Sequence, residues 1–472
     1  MLIPLLRNQL LGAVTISLLS LALGAESLFA RPILKFYLDD ELKHPVNSIL
    51  KTDSFITVIE GLAPSQDIIL RTQMYFRHAG TDQAKLFQAE SHFKADSEGR
   101  ISLDKQAPLK GDYYGVDQDG PVWSLLENNT ASVPQILSQP SWSLLFSVFT
   151  TGSNSEKLVE EFLERKLSSV DIKITPINEQ GIVGTLFIPQ FKSQNKLPVL
   201  IMMGGSEGAQ SYTSDAPSYA SQGYAVLTLA YFKEPGLPAE LNNVPLEYFG
   251  KAFKWLETQP SIDAKRIGIM GASRGGELVL LLGTLYPQVK AIVAMSPSSY
   301  VWGACCNIPG TFPSWTLNGK PLDFLHLENM KTDFVLTPNQ DIYEILTGSF
   351  MKRIAILTDA EKERVLIPVE KIEAPMLFIG GEQDLVWPSC TFMNLSKQRL
   401  KAANKLGLTQ FLCFPNAGHN ISRPPGDGTR AAPLRLNRNT GIHAVRGGEP
   451  QSIARARRVG WQQILQFFEK NL

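Results

Sequence analysis

Two rhythms of apolar and polar residues divide the chain. Between about residues 32 and 126, short apolar or alternating runs at 54–59, 67–75, 92–95 and 100–103 are separated by turn-forming clusters such as Gly61-Leu62-Ala63-Pro64 and Asp96-Ser97-Glu98-Gly99. Turn signals recurring about every ten residues predict an all-β, immunoglobulin-like sandwich over 32–126. Residues 127–170 read as a linker, with a helical-looking stretch at 156–166. From 171 to 472 the pattern changes. Apolar strand-like runs at 198–203, 224–230, 267–270, 291–295, 376–379 and 411–414 alternate with helix-length segments, among them 246–259 and 275–286. Buried strands joined by helices predict a mostly parallel sheet covered on both faces. The Arg-, Gly- and Pro-rich stretch 422–451 reads as a long loop before a final amphipathic helix.

Residues 1–30 follow neither rhythm. Arg7 is the sole charge before Glu26, the run 10–25 is apolar, and Ala22, Gly24, Ala25 and Ala30 are small. A short positive region, an apolar region and small residues predict a secretory signal and hence a periplasmic or secreted protein. If the segment stays uncleaved it becomes an anchor and gives the protein its only membrane contact, although the run is shorter than the ~20 residues that span a bilayer.

Composition narrows the partners. A chain of 472 residues is long for one compact core, and 44% hydrophobic with 19% charged residues is an ordinary globular balance. Lys plus Arg equals Asp plus Glu at 45 each, so the basic excess that a nucleic-acid binder needs is missing. The four cysteines, Cys305, Cys306, Cys390 and Cys413, form no Cys-x-x-Cys, and the six histidines are scattered, so no zinc site is predicted. Whether any of these cysteines pair stays open.

The chemistry concentrates in the second half. An apolar strand runs into Gly271-Ala272-Ser273-Arg274-Gly275 and on into a helical pattern. Strand, Gly-x-Ser-x-Gly and helix together are the setting of a nucleophile elbow in an α/β-hydrolase domain. Ser273 is therefore the candidate nucleophile, presented at a helix N-terminus that favours developing negative charge. A serine hydroxyl needs a base, and in this fold an acid and then a histidine follow it along the chain. His419 leaves the run 411–414, whereas His443 has no strand before it. Asp384 leaves the run 376–379, with Glu382 as its competitor for the acid. The backbone N–H of Arg274, with that of Gly205 or Ser206 in the Gly204-Gly205-Ser206-Glu207-Gly208 loop, would form the oxyanion hole. His44, His78 and His92 carry no such pattern and read as structural.

With these residues assembled, the chain resembles the acyl-CoA thioester hydrolase and bile acid-CoA:amino acid N-acyltransferase family. The likeness covers nearly everything from about residue 40 onward. It rests on the run 111–124 (GDYYGVDQDGPVWS), Gly204-Gly205 with Gly208, and the run 223–232 ending in Tyr231-Phe232. Asp384 with Trp387-Pro388-Ser389, and Ala417-Gly418-His419, complete it. The resemblance implies a β-sandwich followed by an α/β-hydrolase domain, and cleavage of acyl thioesters through an acyl-enzyme without metal or redox cofactor. The family's amidating members carry Cys where this chain has Ser273, while hydrolytic members commonly carry Ser, which favours water as acceptor. Familiar members meet coenzyme A inside cells, whereas the N-terminal pattern predicts export. The leaving group therefore stays open between coenzyme A, another thiol and an alcohol.

The expected partner is a small-molecule acyl thioester or ester, with no nucleic acid; oligomeric state is not legible. The alternatives are an exported carboxylesterase or peptidase with the same triad, an acyl-CoA:amino acid N-acyltransferase, and a binding protein with a dead hydrolase fold. Trp302, Phe312 and Trp315, in the segment 296–325, are read either as acyl-pocket lining or as core.

Overall fold

The computed structural model describes residues 31–77, 84–127, 140–191, 195–305, 310–326, 350–429, 434–436 and 443–472. The N-terminal segment 1–30, His78, Cys306 and part of the expected linker lie outside the described residues.

In the front region two sheets stack. The smaller contains Ile33–Tyr37, Ile56–Glu60 and Ile101–Ser102; the larger is built on Asp67–Arg77, Ala84–Lys94, Ser141–Thr150 and Lys157–Lys166. Successive side chains on a strand point to opposite faces, so every second residue reaches the interior. Leu34 and Phe36 from one sheet share a buried cluster with Ile68, Leu70, Leu144, Phe146 and Val148 from the other. Phe36 meets Phe146 across it, ring centroids 4.9 Å apart.

The expected linker at 127–170 needs correction. Ser141–Thr150 and Lys157–Lys166 are adjacent antiparallel strands of the larger sheet, with Leu163 opposite Leu144, so the sandwich runs on to Lys166. Val159, Phe162 and Leu163 imitate helical spacing, but cross-strand pairing decides the conformation. Leu163 and Arg165 turn inward and are buried, while Phe162 is 61% exposed. Local pattern yields here to long-range pairing.

The rear region is built on an eight-stranded sheet. Its spatial order is Ile172–Glu179, Ile182–Pro189, Ala225–Ala230, Leu197–Met203, Ile262–Ala272, Val289–Met295, Met376–Gly381 and Thr409–Phe414. The first two strands are antiparallel to their neighbours and the remainder run parallel. The opening hairpin was not marked by the sequence pattern. Five of the six expected runs fall within strands, the sixth, 224–230, starts one residue ahead of its strand, and the expected helices appear as Glu247–Glu257 and Arg274–Leu285. This is the fold of an α/β hydrolase.

Parity along the strands explains the two-sided cover. Val199, Ile201 and Met203 pack into one core with Phe249, Phe253 and Leu278, while Leu200 and Met202 join the opposite core with Tyr219, Trp461 and Phe468. The last helix, Pro450–Asn471, buries Ile453, Ala456, Gly460, Trp461, Ile464 and Phe467, a stripe of period 3.6 against the sheet. The stretch before it contains a short hairpin, Leu434–Leu436 with His443–Val445, so His443 lies in a strand.

Candidate active site

A strained backbone turn at the sheet's carboxyl edge falls at Ser273. The strand Ile262–Ala272 ends, Ser273 takes φ +59° and ψ −121°, and the helix Arg274–Leu285 begins at once. Such a conformation is costly for a residue with a Cβ and persists only where its surroundings hold it. Here the neighbours are glycines because nothing larger fits. A Cβ on Gly271 would stand 2.3 Å from the Gly275 carbonyl oxygen, and one on Gly275 would stand 2.4 Å from that of Gly204. The Ser273 N–H donates to Met295 O at 2.9 Å, tying the turn to the next strand.

Asp384 and His419 come together at the ends of the following two strands. Asp384 lies three residues past Met376–Gly381 and is fully buried; His419 lies five past Thr409–Phe414 and is buried. His419 Nδ1 lies 2.8 Å from Asp384 Oδ2 and 3.0 Å from Oδ1. The backbone N–H groups of Val386 and Trp387 donate to Oδ1 at 3.0 and 3.3 Å. Since an ionised carboxylate only accepts, this pairing assigns the imidazole proton to Nδ1 and leaves Nε2 as an acceptor. Glu382 is exposed, its N–H engaged with Phe414 O, and does not share this contact.

Several supporting residues were not visible beforehand. Ser296, with φ +40°, donates its hydroxyl to His419 O and its N–H to Ile379 O, directly after Met295, which holds the elbow. The indole of Trp387 donates to Ser296 O at 2.9 Å and meets the His419 ring edge-on. Arg446 O accepts the N–H groups of His419 and Leu385, and a Cβ on Gly418 would stand 1.9 Å from Gly447 O. The Arg446-Gly447-Gly448 segment thus clamps the acid and histidine loops from outside. Only the adjacent glycines could have hinted at so close an approach.

The facing loop abuts the elbow. A Cβ on Gly205 would lie 3.1 Å from Ser273 Cβ and 3.0 Å from Glu207 Oε2. The buried Tyr231 hydroxyl donates to Gly204 O at 2.6 Å, fixing the direction of that peptide. Ser206 is half-buried beside it. The Arg274 side chain turns inward and is buried. Trp302 and Trp315 are fully buried core residues, whereas Phe312 is 46% exposed. A disulfide joins Cys390 in the first turn of the helix Ser389–Ala402 to Cys413 on the strand leading to His419. Cys305 is half-buried.

Two family models match in chain order. Residues 53–179 match the acyl-CoA thioester hydrolase/BAAT N-terminal region, and 244–472 match the BAAT/acyl-CoA thioester hydrolase C-terminal model. The chain belongs to the acyl-CoA thioester hydrolase/BAAT family. With relatives that are acyl-coenzyme A thioesterases, it is a hydrolase. It is 27% identical over 419 residues to acyl-coenzyme A thioesterase 1 of Homo sapiens, covering 88% of this chain and 92% of that one. Against acyl-coenzyme A thioesterase 2, mitochondrial, also of Homo sapiens, identity is again 27%, covering 88% of this chain and 80% of the relative. A solved dienelactone hydrolase-like structure from Klebsiella pneumoniae is 18% identical, with a TM-score of 0.39 over 64% of this chain and 99% of that one.

These relatives overturn the expectation of export. They are acyl-coenzyme A thioesterases, one of them mitochondrial by name, and none speaks for a secreted or periplasmic protein. An apolar run with one arginine is a compositional signal and does not by itself fix a compartment. Among the described residues no helix is long and apolar enough to cross a membrane.

Proposed function

We propose that this chain hydrolyses acyl-coenzyme A thioesters through an acyl-serine intermediate on Ser273. The observation that carries the reading is the buried Asp384–His419 pair, with Nδ1 turned to the carboxylate, at the same sheet edge as the strained Ser273 turn. The relatives' activity as acyl-coenzyme A thioesterases supports the substrate class.

In this mechanism His419 Nε2 takes the Ser273 proton as Oγ attacks the acyl carbonyl. The N–H of Arg274, with that of Gly205 or Ser206, receives the oxyanion, and Asp384 steadies the imidazolium. The C–S bond breaks and the sulfur leaves, taking the proton that His419 holds and returning the imidazole to its neutral form; a thiolate needs less help from this general acid than an alkoxide would. Water deprotonated by His419 then attacks the acyl-serine, and Ser273 Oγ leaves with the proton. The products are a carboxylic acid and the free thiol.

The test compares purified wild type with Ser273→Ala on acyl-coenzyme A of graded chain length, on simple esters, and on acyl-coenzyme A plus glycine. Thioester cleavage by wild type, its loss in the variant, and covalent labelling of wild type alone by a fluorophosphonate are expected. Equal activity of the two proteins would remove Ser273 from the mechanism. Appearance of the glycine conjugate in place of free acid would make the enzyme a transferase.

A further inference from the structure

One residue after the proposed nucleophile, a buried ion pair holds a position that the mechanism above leaves without a role. Arg274 Nη1 lies 2.8 Å from Glu277 Oε2, one helical turn on, with the two side chains 4% and 0% exposed. Neither charge stops at the other. Arg274 Nη2 donates to Trp302 O at 2.8 Å and to the Ser314 hydroxyl, and its guanidinium lies 6.0 Å from the Trp315 ring centroid. Glu277 Oε1 accepts the Trp315 indole N–H at 2.7 Å and the Trp302 backbone N–H at 3.3 Å. The first turn of the elbow helix is therefore bonded to residues 302, 314 and 315 through two opposite charges. Burying such a pair costs desolvation that an apolar core would avoid, so it is a poor device for stability alone.

What the pair holds leads back to the catalytic histidine. Trp302 packs edge-on against Phe350, centroids 5.0 Å apart, and lies 6.3 Å from Phe392. Both of these rings contact Trp387, each at 6.2 Å. Trp387 in turn meets the His419 ring, and its backbone N–H donates to Asp384. A continuous packed path thus joins the residue after Ser273 to the Asp384–His419 pair, independent of the sheet that also carries them.

We infer that Arg274 and Glu277 are a positioning pair, locking the elbow to the Asp384–His419 half of the site through Trp302. This rests on Ser273 and His419 acting together as proposed above. The physical need is registration: the nucleophile and its base ride on separate strands, and a misplacement of about 1 Å can cost on the order of a hundredfold in rate. The pair acts on kcat rather than on substrate affinity, because neither side chain is placed to touch the thioester.

The experiment measures kcat and KM on an acyl-coenzyme A, fluorophosphonate labelling rate and thermal unfolding for wild type, Glu277→Gln, Arg274→Met and the double variant. Each single change is expected to lower kcat and the labelling rate by roughly ten- to a hundredfold, with KM within about twofold. The double variant should be no slower than the worse single one, since residues acting as a unit are not additive. Trp315→Phe keeps the ring and removes one bond to Glu277. It should lower kcat by a smaller factor, and it decides the matter if the charge variants do not fold. Wild-type kcat in Glu277→Gln, additive losses in the double variant, or a fall in Tm with kcat unchanged would overturn the inference. Failure of wild type itself to be labelled would instead strike the serine mechanism.

Discussion

Replacing Asp384 by Asn changes one oxygen to an amide nitrogen, and the structure fixes which way that amide must face. Two backbone N–H groups, from Val386 and Trp387, converge on Oδ1, so the amide oxygen has to stay there and the NH2 group takes the place of Oδ2. That puts a donor where His419 Nδ1, 2.8 Å away, now meets an acceptor. Two donors cannot share the contact, so the imidazole proton moves to Nε2, the nitrogen that accepts the Ser273 proton in the proposed mechanism. A triad histidine held in the wrong tautomer loses on the order of 10⁴ in kcat, which corresponds to about 5 kcal/mol of barrier. Most of the loop's hydrogen bonds survive, so folding should change far less than activity. The assay is steady-state acyl-coenzyme A hydrolysis at saturating substrate, with circular dichroism and thermal unfolding on the same samples. A kcat within tenfold of wild type would show that the tautomer is not what Asp384 controls. A larger loss in Glu382→Gln than in Asp384→Asn would move the acid to Glu382.

Further outcomes follow from other contacts. Gly275→Ala places a Cβ 2.4 and 2.6 Å from the carbonyl oxygens of Gly204 and Met203, so loop and elbow must part; about 1–3 kcal/mol of stability and most of kcat should go. Unchanged thermal unfolding and kcat would show that the loop does not abut the elbow. Burial pushes the Glu277 carboxyl up to about 7 from its ordinary 4.5, with Arg274 offsetting part of the effect. A carboxyl raised on folding contributes stability that is full below about 4.5 and is lost as pH rises through about 7, at most ~3 kcal/mol here. Urea unfolding at steps across that window should show wild type losing stability with pH while Glu277→Gln stays flatter; parallel curves would contradict this. Opening the Cys390–Cys413 disulfide should lower stability by roughly 2–4 kcal/mol, read as the difference in Tm with and without reductant, and equal Tm values would argue against the link.

The amino-acid order alone determined the parts of this protein that local sterics govern. An apolar strand, two glycines that admit the Ser273 turn, and a helical run after it make the elbow legible, because each requirement falls within a dozen neighbouring residues. The chain order of Asp384 and His419 after successive strands was readable for the same reason. Tertiary structure decided what depends on residues far apart in sequence. It set Asp384 rather than Glu382 against His419, and it paired 141–150 with 157–166 as strands where local spacing had mimicked a helix. It joined Cys390 to Cys413 and closed Gly447 over Gly418. It also turned Arg274 inward to Glu277 and Trp302. Periodicity reports which face of an element is apolar, but the partner that covers the face is chosen by packing across the whole chain, and the inner environment of each charge is set by that choice.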